Sequence, residues 1–309
     1  NALGVSLSDG SNGGLAVNYT LTGGTHQMTV GQRGVILSGS RLYDSTTTAS
    51  SSDFSNITGT VGSETLNITG SGTLGNANVG LNKSVTLGSI ALVDGSNRGL
   101  ANNYSLSSGT LTVNQRPLTA TLARQYDGTT TAAGSSLSSL TGLQGGQTLS
   151  LTGSGTITTK NVENSKSVTL GSIALADGTG AASNYSLSSA AMNVTKRPII
   201  ISGSRHYNGN ARVLSSDLKK ITGTVGTETL LIEGSSTVSS KDVGVNQTIS
   251  LDNVVLKDGK NGGLVSNYNL SSGNLTISKR PVNISGVRSS NRGSRVVKSF
   301  ELKVANIVD

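Results

Sequence analysis

The sequence predicts an all-β chain: a tandem array of small β-sandwich or β-grasp-like modules with stiff, short joints. Three observations carry this. First, the tyrosines fall into two columns. Tyr19, Tyr104, Tyr185 and Tyr268 each follow an asparagine, whereas Tyr43, Tyr126 and Tyr207 each precede Asp or Asn. Second, all three prolines stand in Arg-Pro pairs, at Pro117, Pro198 and Pro281. Both patterns recur about every 82 residues, and a period of this kind marks an array of one repeated unit. Third, apolar and polar residues alternate within each period, as in Leu66/Ile68, Val85/Leu87 and Leu111/Val113, which is the mark of half-buried strands.

The period sets the module boundaries at 35–117, 118–198 and 199–281. Residues 1–34 match the last third of a module, and 282–309 open a further, degenerate one with Ser290 at the tyrosine position. Asn1 is not a natural start, so a piece of a longer chain is expected. The first and third modules open on an apolar run, Val35–Leu37 or Ile199–Ile201, that leads to a Ser-Arg-x-Tyr segment. Next, Phe54 and Ile57, like Leu218 and Ile221, lie three apart behind Ser and Asp, which predicts a single capped turn or a short helix. The apolar parity slips at Gly88-Ser89 and again at Gly171-Ser172, which predicts a bulge or a sharp bend. Ser107-Ser-Gly109 and Ser271-Ser-Gly273 each lie between short apolar runs and read as hairpin turns. Finally, Leu111-Thr-Val113 runs almost directly into Arg116-Pro117. Proline fixes φ and donates no ladder hydrogen bond, so it should end one strand and stiffen entry to the next. A semi-rigid rod with contacts between neighbouring modules follows. The rival architecture is a continuous β-solenoid, whose coils would repeat at about 20–25 residues. No such inner period is present.

Bulk composition agrees with small modules. The chain is 34% hydrophobic with two Phe and no Trp, so each core must be thin. It has no cysteine, which fits a bacterial exported protein that forgoes disulfides. The formal charge of +8 is spread over mostly single Lys and Arg, densest at Arg288, Arg292, Arg295, Lys298 and Lys303. That pattern favours a solvated surface over a specific anionic partner. No apolar run reaches the ~18 residues of a membrane-spanning helix.

Residues for chemistry are scarce. His26 and His206 are the two histidines, and the positions matching His206 hold Leu42 and Gln125, so a surface role is expected. There is no thiolate, no Gly-x-Ser-x-Gly elbow beside a His and a carboxylate, and no phosphate-binding loop. Asp94-Gly-Ser-Asn-Arg-Gly99 resembles a calcium loop only faintly. Arg98 stands where an oxygen ligand is needed, and Lys260 does the same in the third module. The sequence therefore implies no enzyme, cofactor or metal site. The seven tyrosines read as structural anchors, with ring buried and hydroxyl bonded to nearby backbone, rather than as a sugar-stacking surface. Eleven Asn-x-Ser/Thr sequons occur, and Asn18, Asn56, Asn67, Asn103, Asn184 and Asn274 are candidate glycosylation sites. About seven would arise by chance in so Asn- and Ser/Thr-rich a chain.

Arg124-Gln-Tyr126-Asp-Gly-Thr-Thr-Thr-Ala132, with Lys160-Asn-Val162, Asn184-Tyr185 and Lys196-Arg-Pro198, resembles the YDG-type repeat of filamentous-haemagglutinin-like exoproteins of Gram-negative bacteria. The likeness covers nearly the whole chain three times over and is strongest in the second module. Tyr43-Asp-Ser45 and Tyr207-Asn-Gly209 depart from it by one residue each. The resemblance implies a secreted cell-surface adhesin, exported by the two-partner route through an outer-membrane partner that engages a region outside this chain. It also implies modules that form a stalk, and asparagine glycosylation in some relatives. The expected partner is a host-cell or bacterial surface receptor, carbohydrate among the candidates, in attachment, biofilm formation or virulence. The alternative reading is a module that binds anionic polysaccharide or nucleic acid in a biofilm matrix. No specific nucleic acid and no membrane span are expected.

Overall fold

A computed structural model describes residues 6–22 and 27–282. His26, Ser290 and the basic stretch from Arg288 lie outside the described residues. The chain divides into two units. The first takes residues up to 41, 47–76 and 80–113, and the second takes 42–46, 77–79 and everything from 114 onward.

The strands repeat as the sequence does. In the first repeat they are β1 (Arg33–Leu42), β2 (Thr48–Ser50), β3 (Phe54–Thr58), β4 (Leu66–Thr69), β5 (Ser71–Leu74), β6 (Gly80–Thr86), β7 (Ala91–Asp94) and β8 (Tyr104–Asn114). In the second they are β9 (Arg116–Gln125), β10 (Thr131–Ala133), β11 (Leu137–Thr141), β12 (Ser150–Thr152), β13 (Ser154–Ile157), β14 (Glu163–Thr169), β15 (Ala174–Ala176) and β16 (Tyr185–Thr195). The third has β17 (Arg197–His206), β18 (Arg212–Leu214), β19 (Lys220–Thr222), β20 (Leu230–Thr237), β21 (Gly244–Thr248), β22 (Val254–Asp258) and β23 (Tyr268–Ser278). Here β20 runs through the glycine that separates β12 from β13.

The first and second repeats each build a six-stranded sheet, ordered β2-β5-β6-β8-β1-β3 and β10-β13-β14-β16-β9-β11, beside a two-stranded sheet, β4-β7 or β12-β15. The third splits into β19-β17-β23-β21 and β18-β20-β22. The first and last long strands of a repeat are neighbours at the centre. In the second and third repeats they run parallel, β9 with β16 and β17 with β23. Their outer neighbours are antiparallel. A central parallel pair with antiparallel flanks is a β-grasp-like order and not that of two face-packed antiparallel sheets. Each repeat forms its own curled sheets, so the continuous solenoid is excluded among the described residues.

Two local expectations change. The hairpin turns at Ser107-Ser-Gly109 and Ser271-Ser-Gly273 do not form, because β8, β16 and β23 are each unbroken over 11 residues. In place of the hairpin turn the strand carries a bulge, where Leu187 faces Leu118 but Ser189 faces Thr119. The extra residue turns its hydroxyl back on the neighbouring strand: Ser188 Oγ donates to Leu118 O at 2.8 Å, and Ser271 Oγ to Ile199 O at 2.9 Å. The second change is at the prolines. Pro117 and Pro198 do not end a strand but stand second in β9 and β17, exposed, near a strand start where a missing donor is tolerated. Pro281 follows β23 outside any strand. The slip at Gly88-Ser89 is the sharp-bend alternative, a turn that moves the chain from β6 to β7 in another sheet, with Gly88 at φ +58° and Gly171 at φ +56°. The expected capped segment is one 3₁₀ turn, Ser51–Asp53 or Ser215–Asp217.

Burial follows the alternation. In the first unit Val35, Leu66 and Tyr104 form a core cluster with Ile57, Leu92 and Leu106 against it. In the second unit the core of the second repeat, including Leu122, Tyr126, Met192 and Val194, continues into Ile199, Leu230 and Tyr268 of the third. Only Lys196 separates β16 from β17.

Candidate functional site: the tyrosine joint

The polar groups of the core gather where repeats meet inside the second unit. Tyr126 directly follows β9, and Asp127-Gly128 turns the chain immediately after it. Asp127 Oδ1 accepts from Thr129 N and Thr129 Oγ1, both at 2.9 Å, which is an Asx turn. Gly128 supplies the left-handed φ of +77° that the turn needs. Asp44 repeats these bonds to Thr46, at 2.9 and 3.0 Å, and Asn208 accepts from Asn210 N at 3.1 Å. The motif thus combines a buried anchor, a side-chain-closed turn and a position for glycine. In the first repeat that last position is Ser45, held at φ +67°. Ser45→Gly should therefore raise stability by about 0.5–1 kcal/mol, read as an upward shift of the thermal midpoint.

The Tyr126 ring is fully buried and meets Tyr268 edge-on, centroids 5.5 Å apart. Both phenols donate to one carboxylate: Tyr126 to Glu228 Oε1 and Tyr268 to Glu228 Oε2, each at 2.6 Å. Lys160 Nζ joins at 2.7 Å from Glu228 Oε1 and lies 5.8 Å from the Tyr126 ring centre. The Tyr268 oxygen also accepts from Val225 N at 3.0 Å. Alongside, buried Asn267 accepts from Val162 N at 2.9 Å and donates to Asn161 Oδ1 at 3.1 Å.

The same joint is built a second time around Tyr43, also in the second unit. Its ring meets Tyr185 at 5.2 Å. Here the bridge is neutral: Gln147 Nε2 donates to Tyr43 Oη at 2.8 Å, and Tyr185 donates to Gln147 Oε1 at 2.7 Å. Asn184 accepts from Val79 N at 2.9 Å and donates to Asn78 Oδ1 at 3.0 Å. A charged bridge comes with Lys160, and a neutral one with Ala77 at the matching position.

Electrostatics in the charged joint follow from burial and contact. Burial would raise the Glu228 carboxyl, but donation from Lys160, Tyr126 and Tyr268 outweighs it and holds the group below the ordinary carboxylate value. Burial and then the Glu228 bond push Tyr126 up. The same two causes push Tyr268 up from 10.0 to about 12. The bond to Glu228 raises Lys160. A phenol raised on folding contributes stability that is complete below its unfolded value and is lost as pH climbs through the folded one. The second unit should accordingly lose about 2–3 kcal/mol between pH ~10 and ~12 through Tyr268 alone, since each tenfold change in proton affinity is worth ~1.4 kcal/mol. Urea unfolding of wild type and Tyr268→Phe across that range checks it, and the variant should show a shallower decline.

The tyrosine columns divide by neighbourhood. Tyr104, Tyr185 and Tyr268 are buried at strand starts, as are Tyr43 and Tyr126 at strand ends, whereas Tyr207 is half-buried. Tyr19 is 66% exposed. The loop that caps Tyr104 lies 40 residues earlier, at Glu64. Of the sequon asparagines, Asn18, Asn56, Asn67 and Asn103 are exposed and Asn274 is half-buried in β23. Asn184 is 2% exposed with both amide atoms bonded, so the folded protein leaves no room for a sugar there. His206 is exposed, its Nδ1 within 2.9 Å of Ser278 Oγ.

The Asp-Gly segments are turns closed by their own aspartates. Asp9, Asp94, Asp177 and Asp258 each accept with Oδ1 from a backbone N–H five or seven residues on, at 2.6–2.7 Å. Among the described residues no three of His, Asp and Glu cluster as metal ligands. Two further columns matter in the fold and escape the reading of the sequence. One is Glu64, Gln147 and Glu228, the bridging position. The other is Arg41, Arg124 and Arg205, two residues before each joint tyrosine, whose nearly buried guanidiniums donate to the carbonyls of Thr48, Thr129 and Arg212. The arginines of the first two Arg-Pro pairs each pin a left-handed glycine, and Arg33 does the same ahead of the first repeat: Arg33 Nε to Gly59 O, Arg116 to Gly142 and Arg197 to Gly223, at 2.6, 3.1 and 2.7 Å.

This is a tandem all-β repeat protein whose one built polar site among the described residues is its joint. The chain belongs to the YDG domain family, whose model matches residues 25–112, 110–193 and 191–275. Comparison with curated proteins and with solved structures gives no match. No helix among the described residues is long and apolar enough to cross a membrane.

Proposed function

We propose that this chain is a non-enzymatic stalk and adhesive segment of a secreted adhesin on the surface of a Gram-negative bacterium. The observation that carries the reading is the joint: Tyr126, Glu228, Lys160 and Tyr268 lock one repeat to the next through a shared buried core. Such a joint serves geometry, since it resists bending and holds whatever lies beyond it at a fixed distance. Three YDG domains in tandem support the same reading, because weak contacts repeated along an array gain by avidity. The partner is a host-cell or bacterial surface receptor, and export would use an outer-membrane partner. A cell-binding assay with the chain alone tests it. Saturable binding, stronger for the intact chain than for one whose joints are weakened by Tyr126→Ala, supports an adhesive array. Absence of binding at any concentration leaves the spacer role and removes the adhesive one.

A further inference from the structure

Away from the joint, the third repeat carries an open polar cleft on the face of its sheet turned from the core. Along β17 and β23 the core takes Ile199, Ile201, Leu275 and Ile277. Side chains alternate across a strand, so Ser202, Asn274 and Thr276 fall on the opposite face. With Lys219, Lys220 and Asn246 they line a cleft of about 360 Å³. Two backbone features shape it. A Cβ at Gly203 would run into the Asp217 carbonyl, so glycine there lets the segment ahead of β19 lie against β17, and the two lysines form one side of the cleft. On the other side β21 bulges, its register shifting between Gly244 and Gln247. Asn246 stands in that bulge at φ +51°, a conformation asparagine tolerates, and its N–H donates to Thr276 Oγ1 at 3.3 Å.

The lining is chemically one-sided. None of its residues is acidic, aromatic or aliphatic. Among the described residues neither lysine ammonium has an ion-pair or hydrogen-bond partner, and the side chains of Ser202, Asn246 and Asn274 are equally uncommitted. The Asp217 carboxylate, two residues before Lys219, is taken up by Arg205 at 3.3 Å. The second repeat shows that this face is open by architecture. There Thr121, Ser138, Ser139, Ser165, Ala191 and Asn193 hold the matching positions and are exposed or half-buried to the same degree, although a further repeat follows. What differs is the chemistry: Ser138-Ser139 stand in place of the two lysines, and Ala191 in place of Asn274.

Two free ammonium groups beside free hydroxyls and amides match a ligand that carries negative charge and many hydroxyls. An apolar peptide or a lipid would find no pocket for its side chains, and nucleic-acid bases would find no ring to stack on. We propose that this cleft binds an acidic saccharide, with Lys219 and Lys220 on its carboxylate or sulfate groups and Ser202, Asn246 and Asn274 on its hydroxyls. The site goes beyond the stalk reading, since its loss would leave the joint and the spacer role untouched.

Calorimetric titration of the intact chain tests this with four probes: a galacturonic acid oligosaccharide, a sulfated heparin-derived oligosaccharide, a neutral dextran oligosaccharide and a single-stranded oligonucleotide. At least one of the two acidic saccharides should bind, more weakly as salt rises, and which of them binds tells carboxylate from sulfate. The dextran and the oligonucleotide should bind far less. Lys219→Ser/Lys220→Ser copies the second repeat, so it should fold as wild type and lose roughly tenfold or more in affinity with its charge-assisted hydrogen bonds. Asn274→Ala copies Ala191 and leaves the net charge alone; it should lose roughly three- to tenfold. Lys257→Ser/Lys279→Ser removes the same charge from exposed positions elsewhere in the repeat and should bind as wild type. Four results would each overturn the proposal: no binding of either acidic saccharide, equal binding of the oligonucleotide, an unchanged affinity in Lys219→Ser/Lys220→Ser or Asn274→Ala, or an equal loss in the Lys257/Lys279 control.

Discussion

Tyr126→Ala should cost about 3–5 kcal/mol of stability in the second unit, the range for truncating a large buried aromatic. The ring is fully buried at the seam where the core of the second repeat becomes that of the third. Truncation opens a cavity against Tyr268, ends the edge-on ring contact, and takes one donor from Glu228. Tyr126→Phe separates these effects. It keeps the packing and loses only the hydroxyl, so it should cost about 1–3 kcal/mol, the penalty for leaving a buried hydrogen-bonding group short of a partner. Urea denaturation measures both. Because the seam couples the repeats, Tyr126→Ala should also lower the denaturant slope or split the transition, as the two repeats begin to unfold separately. A single unchanged transition with a loss below about 1 kcal/mol would show that the seam does not couple them.

The same seam explains which features can be read from sequence. Tyrosine, Arg-Pro and Asp-Gly repeat because each meets a demand that few residues satisfy: a buried ring with a polar tip, a guanidinium reaching Gly142 or Gly223, or a carboxylate closing a short turn. The alternation at Leu66/Ile68 and Leu111/Val113 is equally legible, since burial on one face imposes it. The bridging column is harder to see. Glu64, Gln147 and Glu228 differ in charge, and Glu228 meets Tyr126 across 102 residues of sequence. Only its constant place, 38 to 40 residues before each Asn-Tyr tyrosine, could have revealed it. The central parallel pair is likewise invisible to local pattern, because β9 and β16 find each other from opposite ends of a repeat. The misread hairpin has a simple cause: Ser-Ser-Gly is turn chemistry in isolation, but two long neighbouring strands tolerate one extra residue as a bulge more readily than they give up a ladder.

Glu228→Ala should rival the tyrosine truncation, at about 3–5 kcal/mol, since removing one partner of a buried ion pair strands the others. Two phenols lose their acceptor together, and Tyr268 keeps only the bond from Val225 N. Lys160 is 37% exposed at its side chain and can turn to water, which places the expected loss toward the lower end. Glu228→Gln should be far milder, about 1 kcal/mol, because Gln147 already bridges Tyr43 and Tyr185 as an amide. The pair of variants also has a pH signature. A carboxyl held low on folding contributes stability that is present above its unfolded value, near 4.5, and lost as pH falls through the folded one. Wild type should therefore weaken below pH ~4.5, whereas Glu228→Gln, which has no proton to take up there, should lose less over the same range. Thermal midpoints of both proteins from about pH 7 down to about pH 3 decide it: parallel curves would mean that Glu228 is not the group that holds the joint.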